Sequence, residues 1–228
     1  SVSVTDAAIR TTRAIQVVRK GDAPQSELRV GHVSVPRAHP DYFEIIVMNA
    51  ILGGLFSSRI NLNLREAHGY TYGAHSTFDW RRSASPFVVS TAVESNVTAA
   101  ALRETLSEID RMRQEGVTDN ELTLAISYLD GVFPIRFETT AAIATALAAM
   151  TVYALPDDWY DTYRDRIRAV SAANVLHAIR THVDPRALQV VVVGNADVIV
   201  EPLQALDFGP VTVCDAVQND PVQDHGGA

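Results

Sequence analysis

Apolar and polar positions alternate with two different periods along this chain, and the switches between them delimit its elements. Residues 14–19 (AIQVVR) read as a short strand running into a Gly-Asp-Ala-Pro turn at 21–24. Leu28, Val30 and His32 alternate with Arg29 and Gly31, after which Val33 and Val35 take the other phase. That switch predicts a strand with a bulge near Gly31, ended by Pro36. Over 41–52 only Glu44 and Asn49 are polar near the centre, so a helix buried on almost every side is expected, stopped by Gly53 and Gly54. A second helix over 58–67 places Ile60, Leu62 and Leu64 among polar residues and ends before Gly69.

Strand-like runs at 70–81 and 86–94 flank a turn near 82–85 and predict an antiparallel hairpin. Asn96 reads as the cap of a helix whose Leu102, Leu106 and Ile109 form one stripe, ended by Gly116. Thr118 and Glu121 form a capping box for the next helix, with Leu122, Ala125, Leu129 and Phe133 inward and Pro134 closing it. Helical stretches follow at 139–154, 157–169 and 172–182, with Pro156 and Ser171 as start signals. A strand at 188–194 (LQVVVVG) completes the order. Hairpin-joined strands with clustered helices indicate α+β, a mainly antiparallel sheet of about five or six strands with helices on one face. Residues 1–228 read as one module with a core of 15–207, and 209–228 as a flexible tail.

Composition narrows the classes. Of 228 residues 47% are apolar and 20% charged, ordinary globular usage, and the net charge of −8 argues against a duplex nucleic-acid binder. The apolar run 141–155 is shorter than the roughly 18 residues a bilayer span needs, and its alanines predict a buried helix, so no transmembrane segment is expected. A start at Ser1 without an apolar leader fits processing or a piece of a longer protein. One cysteine, Cys214, allows neither an intrachain disulfide nor a cysteine metal cluster.

Seven histidines occur, at 32, 39, 68, 75, 177, 182 and 225, but no HxxEH or HExxH. His177 and His182, five apart, fall on different helix faces, so no metal site is expected. Ser57–Ser58 lack a GxSxG elbow, and Gly53–Gly54 lack the continuation of a phosphate loop.

The segment 53–73, GGLFSSRINLNLREAHGYTYG, stands apart. It resembles the second-half module of the pitrilysin-like (M16) zinc peptidases: a glycine pair, Ser57-Ser58-Arg59, Leu64-Arg65-Glu66, Gly69 and a tyrosine three places on, Tyr72. The stretch 21–54 resembles the family's lead into this motif and 188–197 its closing strand, so the likeness spans about 15–200. Leu55 stands where a third glycine is common.

This resemblance implies the M16 half fold (LuxS/MPP-like), in which two homologous halves face each other across a chamber. One half carries HxxEH and zinc; the other lacks zinc and adds an arginine–tyrosine pair, at Arg65 and Tyr72 here, with no catalytic residue of its own. Both would offer donors to the carbonyl of a bound peptide, and Arg65 would stay charged. Strand alternation would put Tyr70 on the same face as Tyr72, lining the cleft. No cofactor is then expected on this chain. Zinc is expected on the partner half, in the same polypeptide or a separate subunit, and a bacterial periplasm or envelope is favoured over the cytoplasm. A non-enzymatic structural or interaction subunit of the same superfamily is the alternative, and an unrelated α+β enzyme using the histidines a third.

Overall fold

The computed structural model of the chain describes residues 10–215. Six strands form one sheet: β1 (Ala14–Arg19), β2 (Gln25–Val33), β3 (Ala74–Phe78), β4 (Pro86–Glu94), β5 (Gln189–Gly194) and β6 (Val211–Asp215), in the order β3-β4-β2-β5-β1-β6. The three pairings from β3 to β5 are antiparallel, and β1 lies parallel to both β5 and β6. The fold is α+β with a mixed, mostly antiparallel sheet.

Period-2 patterning decides which face is covered. Ile15, Val17, Leu28, Val30, Phe87, Val89, Val190 and Val192 are buried on one side. Gln16, Glu27, Arg29, His75, Thr77 and Val191 are exposed on the other. The helices cover the first side: α1 (Tyr42–Asn49), α2 (Arg59–Asn61), α3 (Thr98–Glu115), α4 (Asp119–Val132), α5 (Thr140–Tyr153), α6 (Tyr163–Arg168), α7 (Ala172–His182) and α8 (Ala196–Gln204).

The apolar stretch after Asp41 is the central helix, and it does not stop at Leu52. It runs on as a π turn over Ala50–Gly54, with Gly53 inside it and pressed against β3. A Cβ on Gly53 would lie 2.5 Å from Ser76 Oγ and 2.7 Å from Ser76 N. Close helix–sheet approach, not termination, therefore selects the first glycine. Together with the residues after it, Tyr42–Ala67 is long and apolar enough to cross a membrane, but 56% of that window is buried inside the protein. Core packing explains its apolarity.

Several expectations change. The β2 register against β4 is unbroken from Gln25↔Glu94 to Val33↔Pro86, so Gly31 carries no bulge. Residues 31–33 are half-buried whichever way they point, which produced the apparent phase switch. Asn96 lies in a short 3₁₀ turn, Ser95–Val97, and does not cap α3. The capping boxes Thr118/Glu121 and Ser171/Asn174 both form. The 157–169 helix shrinks to Tyr163–Arg168, because the chain after Pro156 makes turns first.

The helix over 139–154 forms but is not buried: no residue of α5 is, and Leu147 is 58% exposed. Its many alanines carry little apolar area, so drawing the helix into the core would gain little. Two elements escaped the sequence reading. Asn195 caps α8 through Asp197 N, and Val211–Asp215 adds β6 to the sheet edge beside β1. The tail expected from 209 is therefore an edge strand over 211–215; residues 216–228 lie outside those described.

Candidate functional site

The motif at 53–73 folds as a hinge between α1 and β3. Loop 55–58 leads into α2, which continues as a second π turn, Leu62–Ala67, closed by His68 N donating to Asn63 O at 3.1 Å. Gly69 at φ 66° reverses the chain, and Tyr70 N returns to Leu64 O at 2.8 Å. Asn61 braces both ends of the hinge. Its Nδ2 donates to Phe56 O at 2.7 Å and its Oδ1 accepts from Ala74 N at 3.0 Å.

The two arginines of the motif have different fates. Arg59 is committed: Nε and Nη2 donate to the two oxygens of Glu121 at 2.6 and 2.8 Å, and Nη2 also reaches Gly116 O at 2.8 Å. The guanidinium holds the Glu121 carboxyl down to about 2, aided by the Thr118 cap against the opposing pull of burial. Arg65 is not committed. Its closest acid is Glu66, with Nε 3.5 Å from Oε1, and its guanidinium lies over the Phe56 ring at 4.5 Å. Its side chain makes no hydrogen bond among the described residues, so its donors face solvent.

Tyr72 is 92% exposed, and its hydroxyl has no hydrogen-bond partner among the described residues. It lies in a loop and not in a strand. Pairing of β3 with β4 begins only at Ala74↔Thr91, because Thr71 folds the preceding residues into a local turn. Thr71 Oγ1 accepts from Gly73 N at 3.1 Å and donates to Gly73 O at 2.9 Å. Strand alternation therefore does not set the faces of Tyr70 and Tyr72. Tyr70 is half-buried and stacks on His68 at 4.9 Å, and His68 Nε2 lies 3.8 Å from Glu104. His75 points to the open face of the sheet.

The structure thus brings Arg65 onto Phe56 and leaves Tyr72 projecting from the adjoining loop. Phe56, 68% exposed, was missed by the sequence reading. Its only signal there is a large aromatic side chain inside a Gly/Ser-rich turn. Arg65 thus presents charged donors beside an aromatic ring, and Tyr72 presents an exposed phenolic hydroxyl.

At the other end of α1 a second cluster forms. Asp41 Oδ2 accepts from His182 Nε2 at 2.7 Å and lies 4.0 Å from His177 Nε2; His39 Nδ1 accepts from Asp41 N at 3.2 Å. The His182 bond lowers the Asp41 pKa. Separate faces of α7 did not keep His177 and His182 apart, since His182 ends the helix where Asp41 meets it. His39, Asp41 and His182 present donor atoms within 4.8 Å of one another, the one such group among the described residues. Each already has a partner without an ion, and the set is not HxxEH.

Similar proteins are known. A family profile described as the peptidase M16 inactive domain matches residues 4–129, which include the whole motif. The uncharacterized zinc protease YmxG of Bacillus subtilis is 25% identical over 126 residues, 55% of this chain and 31% of that protein. The crystal structure of a peptidase M16 inactive domain from Pseudomonas fluorescens superposes with a TM-score of 0.80 at 23% identity, over 86% of this chain and 46% of that one. A protease from Helicobacter pylori does so with a TM-score of 0.77 at 15% identity, over 85% and 47%. The chain spans under a third of the curated relative (31%) and just under half of the two solved chains.

Proposed function

Because the chain belongs to the peptidase M16 inactive-domain family, we propose that it is the zinc-free half of a peptidase, completing a site whose metal sits on a partner half. Residues 1–228 act in this reading as one module of that protein. The partner carries HxxEH, in the same polypeptide or as a separate subunit, and zinc bound there would supply Lewis-acid activation of water.

The role of this chain is to hold peptide. Arg65 carries a fixed fork of donors that make no hydrogen bond among the described residues, so it can grip a carbonyl oxygen of the substrate backbone. The Tyr72 hydroxyl, projecting from the loop after Gly69, can give a second donor to an oxygen on which charge develops. Phe56 stacks beneath Arg65 and restricts its range, which lowers the entropy lost on binding. The observation that carries this reading is the contrast within one motif. Arg59 is spent inside the fold, whereas Arg65, six residues on, is held at the surface on Phe56 with only a long contact to its exposed neighbour Glu66.

The test is reconstitution. The chain alone should leave peptides intact, and an HxxEH-bearing half should cleave them only when this chain is added or fused. Cleavage by the partner half at the same rate without this chain would remove the proposed role and favour a structural subunit.

A further inference from the structure

Arg37 is buried to 8% exposure, yet no carboxylate pairs with it among the described residues. Its guanidinium lies between rings, 3.5 Å from the centroid of Tyr42 and 4.6 Å from that of Trp159. Its Nη1 is buried without a hydrogen-bond partner, and so is Nε1 of that same Trp159. Burial pushes the Arg37 guanidinium below its ordinary value. A buried charge stacked on aromatic faces but left without an anion is destabilising unless something else neutralises it.

The surroundings supply room for that partner. Arg37 lines a cavity of about 380 Å³ between the core and α5. Its walls include Tyr42, Phe137, Tyr160 and Tyr163, and a second cation, Arg136, stands at its exposed edge. No acidic residue among those described lines it. Two guanidiniums, aromatic walls and no negative charge form a receptor for a flat anion with an apolar body. The forked donors of arginine match a carboxylate in particular.

We propose that this cavity binds a carboxylate that carries an aromatic or bulky apolar group, with Arg37 as its buried partner and Arg136 at the mouth. The carboxylate can be that of a small acid or the free C-terminus of a peptide. The site lies against α5, away from the hinge at 53–73, and does not depend on the peptidase reading.

Calorimetric titration of the 228-residue chain with N-acetylphenylalanine should give saturable binding at one site. N-acetylphenylalaninamide, of the same shape without the charge, should bind about tenfold more weakly or not at all, the loss expected for one charged hydrogen bond. Arg37→Met should abolish binding of the acid and raise the melting temperature of the free chain, because an apolar side chain of similar length replaces an unpaired charge. Arg136→Gln, at the exposed rim, should keep the fold and weaken binding severalfold. A peptide ending in free phenylalanine, set against its C-terminal amide, separates the two sources: binding tighter than that of the single residue assigns the site to chain ends, weaker binding to small acids. Equal affinity for acid and amide, no saturation by either acid or peptide, or unchanged affinity in both variants would overturn the proposal.

Discussion

The guanidinium of Arg59 and the carboxylate of Glu121 meet through two hydrogen bonds, at 2.6 and 2.8 Å, across 62 residues of sequence. This pair ties the hinge at 53–73 to the first turn of α4, and Glu121 also closes the Thr118 capping box. One carboxylate therefore serves both a helix end and the motif.

Glu121→Gln should lower stability by about 1–3 kcal/mol, the range for removing one partner of a half-buried, hydrogen-bonded charge. The Glu121 carboxyl is held at about 2 in the fold, below its ordinary 4.5. Its contribution is present above 4.5 and lost as pH falls from there toward about 2. Urea denaturation across that window should show the wild type losing stability more steeply than the variant. Parallel pH curves would show that the ion pair contributes nothing.

Gly53→Ala should lower stability by about 1–3 kcal/mol, as overpacking does. The added Cβ would meet Ser76 N at 2.7 Å, and a backbone atom cannot swing aside. Gly54→Ala would meet mainly Asn49, whose flexible Nδ2 at 2.9 Å can move, though its carbonyl oxygen lies at 3.0 Å; the loss there should be smaller. Chemical denaturation of both variants decides the ranking.

Arg65→Ala and Tyr72→Phe should change the stability of the chain by no more than about 0.5 kcal/mol, because Tyr72 is exposed and Arg65 makes only exposed contacts, to Phe56 and Glu66. In the enzyme reconstituted with an HxxEH half, each should lower kcat/KM by roughly tenfold to a thousandfold, as loss of one oxyanion donor does. A stability loss without an activity loss would make both residues structural.

Ala154→Gly should stabilise the chain by about 0.5–1 kcal/mol, since Ala154 closes α5 in the left-handed region that glycine adopts without strain. Its φ of 52° and ψ of 46° place it there. An unchanged or lower melting temperature would show that the α5 terminus carries no such strain.

Local signals were enough for much of this protein. The alternation of β1, β2 and β5, the apolar length of α1, the capping boxes and the motif that marks the family each depend on residues near one another in sequence. What only the tertiary structure decided involved residues far apart or a competition between local and distant bonds. Gly53 reads as a stop until Ser76 is placed against it. Tyr72 reads as a strand residue until Thr71 ties Gly73 into a local turn, and α5 reads as buried although none of its residues is. Arg59 and Arg65 look alike in the motif; Glu121 and Gly116 O separate them, because both come within hydrogen-bond reach of Arg59 and neither engages Arg65. Arg37 gives no sign at all in sequence, since the absence of a counter-charge is a property of everything packed around it.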